Sequence, residues 1–277
     1  MKKLLFIADF FSSDINGGGE NNDSNLIKHL QGICELSKIR SGEVLTNMLD
    51  SYDTIIIGNF VFLSEDVKDY LIKNCTYIIY EHDHKYLKFR DPSRYTNFIA
   101  PKTDIINKRF YSSAKCVVVL SSICKDVLQQ NIPEANIHNI SCSLWSSEQF
   151  DLLSKLSLSQ KNNKTCIMKS SNPTKNYHRT VEYCNKNDII YDDIFSSSSN
   201  EFLTMMSKYK SFLFIPTVLE TFSRVCAEAK MMNVNLLTNK NLIGFCSEEY
   251  SHLSGTELIE IIKAKNTEAL KFFGELI

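Results

Sequence analysis

The chain has 277 residues and a formal net charge of -1, with 43% hydrophobic and 23% charged residues. This is an ordinary globular composition with room for two modest cores, and it excludes attraction to nucleic acid or membrane through global charge. Nine cysteines, an odd number with no C-x-x-C pair, point to a reducing cytosol. The opening Met-Lys-Lys leads straight into the apolar run Leu4 to Phe11, which holds Asp9 and is too short for a signal segment. No stretch approaches about 18 consecutive apolar residues, so the expectation is a soluble, cytoplasmic protein with at most peripheral contact at a membrane surface.

Short apolar runs then recur with helix-like segments between them: Leu4 to Ala8, Thr54 to Gly58, Tyr77 to Tyr80, Cys116 to Leu120 and Ile137 to Ile140. Runs of this length suit strands covered on both faces, the pattern of a doubly wound α/β domain. A polar stretch from Ser154 to Lys164 follows, and the pattern restarts with Thr165 to Met168, Ile189 to Ile194, Phe212 to Ile215 and Val234 to Leu237. We expect two domains, residues 1–150 and 151–277, with a crevice between the carboxyl ends of two parallel sheets.

Chemistry-bearing residues cluster at the ends of these runs. Asn16-Gly17-Gly18-Gly19-Glu20 follows the first strand and precedes a helix; glycines admit close approach and helix N-terminal amides favour anions. The spacing is not the G-x-G-x-x-G of a dinucleotide fold, and a flexible loop is the plain alternative. The apolar run Tyr77 to Tyr80 leads into Glu81-His82-Asp83-His84. On an extended chain His82 and His84 point the same way, but two histidines are half a metal site and no second cluster accompanies them. From Lys85 to Lys115 eight basic residues (Lys85, Lys88, Arg90, Arg94, Lys102, Lys108, Arg109, Lys115) face only Asp91 and Asp104, with Tyr86, Phe89, Tyr95 and Phe98 interleaved. That segment suits an anionic acceptor or a solvated face. The second half opens on Lys169-Ser170-Ser171-Asn172-Pro173-Thr174-Lys175. Near the end, Glu220-Thr221-Phe222-Ser223 and Glu228 place two carboxylates eight positions apart, roughly 12 Å if helical throughout.

Glu220 to Glu228 resembles the E-x7-E motif of retaining GT-B glycosyltransferases, especially glycosyltransferase family 4. Other pieces follow the family's order. The Gly-Gly-x-Glu loop is similar to the one beside the donor phosphates and acceptor, and His82 to the strand-end His that contacts the donor sugar. Lys175 falls on the Lys of the family's Gly-Arg-x4-Lys-Gly segment. Val119 to Lys125, and Leu237-Thr238-Asn239 with Gly244, are weaker echoes. The departures are Thr221 for the usual Gly, Lys169-Ser170 in place of Gly-Arg, and a brief last helix after Thr256.

The resemblance implies an α/β GT-B fold, two Rossmann-like doubly wound domains facing a central cleft, the first on the acceptor side and the second holding a nucleoside-diphosphate sugar. It implies a retaining, metal-independent hexosyltransferase with no cofactor. His82, Lys175 and Glu220 would be the catalytic set. Gly17, Gly18, Gly19, Glu20, Lys169, Ser170, Thr221, Phe222, Ser223 and Glu228 would bind donor. Glu228 would hold the ribose hydroxyls, Glu220 the sugar hydroxyls, and the cations and amides the departing diphosphate. The acceptor is expected to be a glycan or lipid-linked saccharide, or another anionic molecule met by residues 85–115, with nucleic acid disfavoured. The lost Gly-Arg pair leaves a non-catalytic nucleotide- or saccharide-binding relative as the alternative, and a nucleotide-sugar epimerase on the same fold as another.

Overall fold

The computed structural model describes residues 1–15 and 17–277. The chain divides into two compact units, residues 1–144 with 265–277, and residues 145–264. Sequence patterning alone sets the boundary at 150/151 and leaves the C-terminus with the second domain. The contacts put it between Leu144 and Trp145 and return the last residues to the first unit.

In the first unit β1 (Lys3–Ala8), β2 (Glu35–Arg40), β3 (Thr54–Ile57), β4 (Tyr77–Tyr80), β5 (Cys116–Val119) and β6 (Ile137–Asn139) form a 6-stranded sheet in the order β2-β1-β3-β4-β5-β6. Every pairing is parallel, with Leu4 opposite Leu36 and Thr54 and Ile78 opposite Ile56 and Cys116. The central strands β3, β4 and β5 are buried at every residue, which is why they read as unbroken apolar runs. Around them lie α1 (Gly18–Leu30), α2 (Thr46–Leu49), α3 (Glu65–Asn74), α4 (Lys108–Ser112) and α5 (Ser122–Asn131). Tyr77 fixes α4 to the sheet by stacking on Phe110 at 4.8 Å and donating its hydroxyl to the Phe110 carbonyl at 2.6 Å.

The second unit carries β7 (Thr165–Met168), β8 (Tyr191–Ile194), β9 (Ser211–Phe214) and β10 (Asn235–Thr238) as a 4-stranded parallel sheet, order β10-β9-β7-β8. Its helices are α6 (Ser147–Ser157), α7 (Tyr177–Lys186), α8 (Ser199–Met206) and α9 (Arg224–Met231). α6 opens with a capping box: Ser146 Oγ accepts from Gln149 N and Gln149 Oε1 from Ser146 N. The last helix, α10 (Gly255–Leu276), is not brief: it runs 22 residues, through the end of the second unit and back into the first.

Each strand order reverses once. The chain steps from β1 out to β2 and then returns to the other side of β1 for β3, and does the same around β7, with β8 on one side and β9 on the other. Loops leaving the carboxyl ends of β1 and β3, and of β7 and β9, therefore diverge, and such points are where open α/β sheets bind ligands.

Candidate functional site

In the second unit the two loops at the reversal are 169–176 after β7 and 215–223 after β9, and they meet in one ion pair. Lys175 Nζ reaches both Glu220 oxygens, at 2.7 and 3.0 Å, and lies 5.7 Å over the Phe214 ring. The Glu220 backbone is fixed by its N–H to the Leu242 carbonyl and by Gly244 N–H to its own carbonyl, so this loop is laced to the segment after β10. Glu220 lies six residues beyond the end of β9, and the chain from 220 to 223 is not helical, so the span to Glu228 is not one continuous helix. α9 begins at Arg224, so Glu228 stands one turn into the helix.

Glu228 is held by residues the sequence did not single out. Trp145 Nε1 donates to Glu228 Oε1 at 2.9 Å, and Arg224 approaches the same oxygen at 3.5 Å. The Arg224 guanidinium lies 4.6 Å over the Trp145 ring. Both signals were in the sequence: Trp145 is the chain's only tryptophan, and Arg224 lies inside the E-x7-E segment.

The remaining donor-binding candidates separate. Phe222 is 1% exposed, its ring against Trp145 and Phe245, so its side chain serves packing. Ser223 takes a left-handed conformation (φ 66°) and turns its hydroxyl to Cys226 Sγ. Thr221, just before them, is half-buried. Lys169 is exposed, its N–H on the Ile194 carbonyl, and Ser170 Oγ accepts from Asn172 N. Glu220 and Glu228 take their partners from Lys175, Trp145 and Arg224 and not from Lys169 or Ser170, so a cation at the lost Gly-Arg position is not built into this cluster. Burial pushes the Cys226 thiol well above its usual range, which removes it as a nucleophile beside the pair.

In the first unit the reversal gathers a second ionisable cluster. Asp23, from α1, pairs with His82 Nε2 at 2.8 Å, and their side chains are 1% and 5% exposed. Room for this pair comes from Gly58, where a Cβ would lie 2.5 Å from Asp23 Oδ2; one on Gly19 would meet the His82 ring at an ordinary 3.6 Å. Asp23 Oδ2 is buried with no hydrogen-bond partner among the described residues. His82 as a whole is half-buried although its side chain is nearly enclosed, so what it exposes is mostly main chain.

The glycine run carries an anion of its own. Asn16 lies outside the described residues; Gly17 caps α1, and Gly18 and Gly19 begin it. The Glu20 carboxylate folds back over Gly17, filling the space a side chain there would occupy, and accepts from its own backbone N–H. Burial raises the Glu20 carboxyl above its usual value, against that bond and the neighbouring His82. The place expected for phosphate at this helix start is taken by a carboxylate.

Beyond β4 the chain is not extended, and the two histidines part: His84 is buried at φ 57° with Nδ1 3.1 Å from the Tyr86 hydroxyl. Among the described residues no group of three or more His, Cys, Asp or Glu is placed to hold a metal ion. The basic segment 85–115 is largely neutralised. Lys85 is buried against Glu81 and Asp83; Arg90 pairs with Asp83, Arg94 with Asp91, Lys108 with Glu134 and Arg109 with Asp69. Four of those carboxylates lie outside the segment, so folding offsets most of the positive charge counted along the sequence.

Two parallel sheets whose strand order reverses, each with helices, form an α/β fold of the GT-B class. Anabaena Alr3699/HepE, solved in complex with UDP and glucose, is similar with a TM-score of 0.54 at 14% identity, over 100% of this chain and 92% of that one. The same protein in complex with UDP-glucose gives 0.53 at 14% identity, with the same coverage. An alpha-glucosyltransferase in complex with UDP and a 13-mer DNA containing a HMU base gives 0.53 at 9% identity, over 99% and 90%. No family model and no curated protein matches the sequence. At these identities the likeness is one of fold.

Proposed function

We propose that the protein is a glycosyltransferase that moves a sugar from a nucleoside-diphosphate sugar, bound by the second unit, to an acceptor taken by the first. One observation carries the reading: the carboxylates Glu220 and Glu228 stand at the carboxyl end of the second sheet, each held by a cation, within a fold shared with an alpha-glucosyltransferase solved with UDP and with HepE solved with UDP or UDP-glucose. An ionised carboxylate has about four acceptor sites, so Glu220 keeps capacity for sugar hydroxyls while paired to Lys175, and Glu228 for those of ribose. Lys175, its side chain 29% exposed, is within reach of a diphosphate and supplies positive charge where negative charge grows as the bond to the sugar breaks.

We further propose hexosyl transfer with retention of configuration and without a divalent cation. The acceptor is a glycan or lipid-linked saccharide; the ion pairing of residues 85–115 argues against recognition of a polyanion there. Incubation with UDP-glucose and other nucleotide-sugars in EDTA, followed by NMR, tests all of this: donor is consumed, and the released or transferred sugar is α. Glu228→Ala lowers donor turnover roughly 100-fold, as expected for the loss of two charge-assisted hydrogen bonds, with the circular dichroism spectrum unchanged. Unaltered kinetics would sink the assignment of Glu228. An exposed Lys169 and an uncharged Ser170 favour a nucleotide-binding relative without turnover as the second reading; binding without donor consumption would select it.

A further inference from the structure

We propose that Trp145 and Arg224 are positioning residues that aim Glu228 at a ribose hydroxyl of the bound nucleotide, an inference that rests on the donor reading above. Both contacts fall on one carboxylate oxygen: Trp145 Nε1 donates to Glu228 Oε1 at 2.9 Å and Arg224 Nη2 approaches it at 3.5 Å. Among the described residues no side chain is hydrogen-bonded to Oε2. The clamp is itself clamped. The indole is 3% exposed, with Phe150 at 6.0 Å and Phe222 at 6.1 Å between ring centres. The guanidinium stacks on it at 4.6 Å, and Arg224 Nη2 also reaches Gln149 Oε1 at 3.5 Å, the oxygen that closes the α6 capping box.

An Arg–Glu pair four residues apart on an open helix face adds little, because both chains move and water screens them. Here the two side chains are only 10% and 12% exposed, and a second element, the start of α6, fixes the cation. The indole N–H can donate to one atom only, so the carboxylate cannot rotate without losing that bond. A nearly buried carboxylate satisfied on one oxygen is poorly suited to a core and well suited to receive a hydroxyl from a ligand.

The experiment compares nucleotides with and without the hydroxyl. Wild-type protein is titrated calorimetrically with UDP, ADP and GDP, and the tightest is compared with its 2′-deoxy and 3′-deoxy forms. We expect at least one deoxy form to bind roughly ten-fold more weakly. Trp145→Phe keeps the aromatic packing and removes only the donor; in it the ribo form weakens and the ratio between forms collapses toward one. Arg224→Lys, which keeps the charge but loses the stacked fork, gives the same collapse and stands in if Trp145→Phe does not fold. If either folded variant weakens ribo and deoxy forms equally, or keeps the wild-type ratio, the positioning role is overturned and the residues are structural. If wild type binds none of the three nucleotides, it is the donor reading that fails, and this inference with it.

Discussion

Glu81 and Lys85 form an ion pair whose side chains are each 2% exposed, four residues apart just after β4. Burial alone would push the Glu81 carboxyl up, yet Lys85, the Tyr111 hydroxyl and the Asp83 N–H together hold it at about 2, against an ordinary 4.5. Lys85 is correspondingly held above its usual range, burial opposing and Asp83 and Glu81 prevailing. A carboxyl lowered by folding contributes stability that is present above its unfolded value and is lost as pH falls through the folded one. The window here runs from 4.5 down to about 2. Glu81→Gln therefore costs about 3 kcal/mol at neutral pH, since it leaves a buried ammonium short of a partner, and flattens the acid limb of stability in that window. Urea unfolding at a series of pH values measures both, and an unchanged acid limb would assign it to other carboxylates. Glu81 and His82 are adjacent in sequence and reach different partners: the first holds its own loop and Tyr111, the second reaches Asp23, 59 residues away. Side-chain type and strand-end position made this tetrapeptide visible in the sequence. Which residue faces which partner depended on a loop conformation, with His84 left-handed, that no pattern of residues announces.

At the scale of elements, the loops at the two strand-order reversals do most of the placing. Asp9, at the end of β1, accepts from the Ser41 hydroxyl and from the N–H groups of Val61 and Phe62 at 2.9 and 3.2 Å. One buried carboxylate thus ties together the loops after β1, β2 and β3. Next to it Gly58, the first residue past β3, leaves space for Asp23. Gly58→Ala puts a methyl 2.5 Å from Asp23 Oδ2 and 3.0 Å from its Cγ, so the buried pair with His82 must shift. The expected cost is about 1–3 kcal/mol. Gly42→Ala is the control, because its methyl meets Phe62 at an ordinary 3.5 Å and should leave the melting temperature nearly unchanged. Equal effects would mean that the Asp23 pocket yields freely. The fully buried strands were legible because burial on both faces leaves an apolar run. β2 was not, because it is an edge strand whose residues are exposed or half-buried, Glu-Leu-Ser-Lys-Ile-Arg. In the same way Glu220 and Glu228 were legible as a spacing, while Trp145, 83 residues from Glu228, was tied to it only by the fold.

For the whole molecule, the C-terminal segment carries the largest departure from the sequence-based division, and its reason is physical. α10 has apolar positions Leu258, Ile259 and Ile262 that are buried in its first half, then Lys263-Ala264-Lys265-Asn266, then Ala269 and Phe273, buried again. The polar interruption makes the helix read as short, but it only marks where the chain passes from one unit to the other. Residues 265–277 then complete the first unit. Phe273 is fully buried edge-on to Tyr80 at 5.0 Å, Phe272 stacks on His138 at 3.6 Å, and Lys115 Nζ donates to the Leu276 carbonyl at 2.5 Å. Tyr80 ends β4 and also meets the His82 ring at 4.3 Å, so the C-terminal helix supports the strand that leads into the Asp23–His82 pair. Phe273→Ala removes a whole ring from this contact and should cost about 3–5 kcal/mol of stability, read as a lower midpoint in urea with the slope unchanged. Phe272→Ala, losing a half-exposed ring, should cost clearly less. If the two substitutions cost the same, the C-terminal segment is held by its stack on His138 and not by insertion into the core beneath β4.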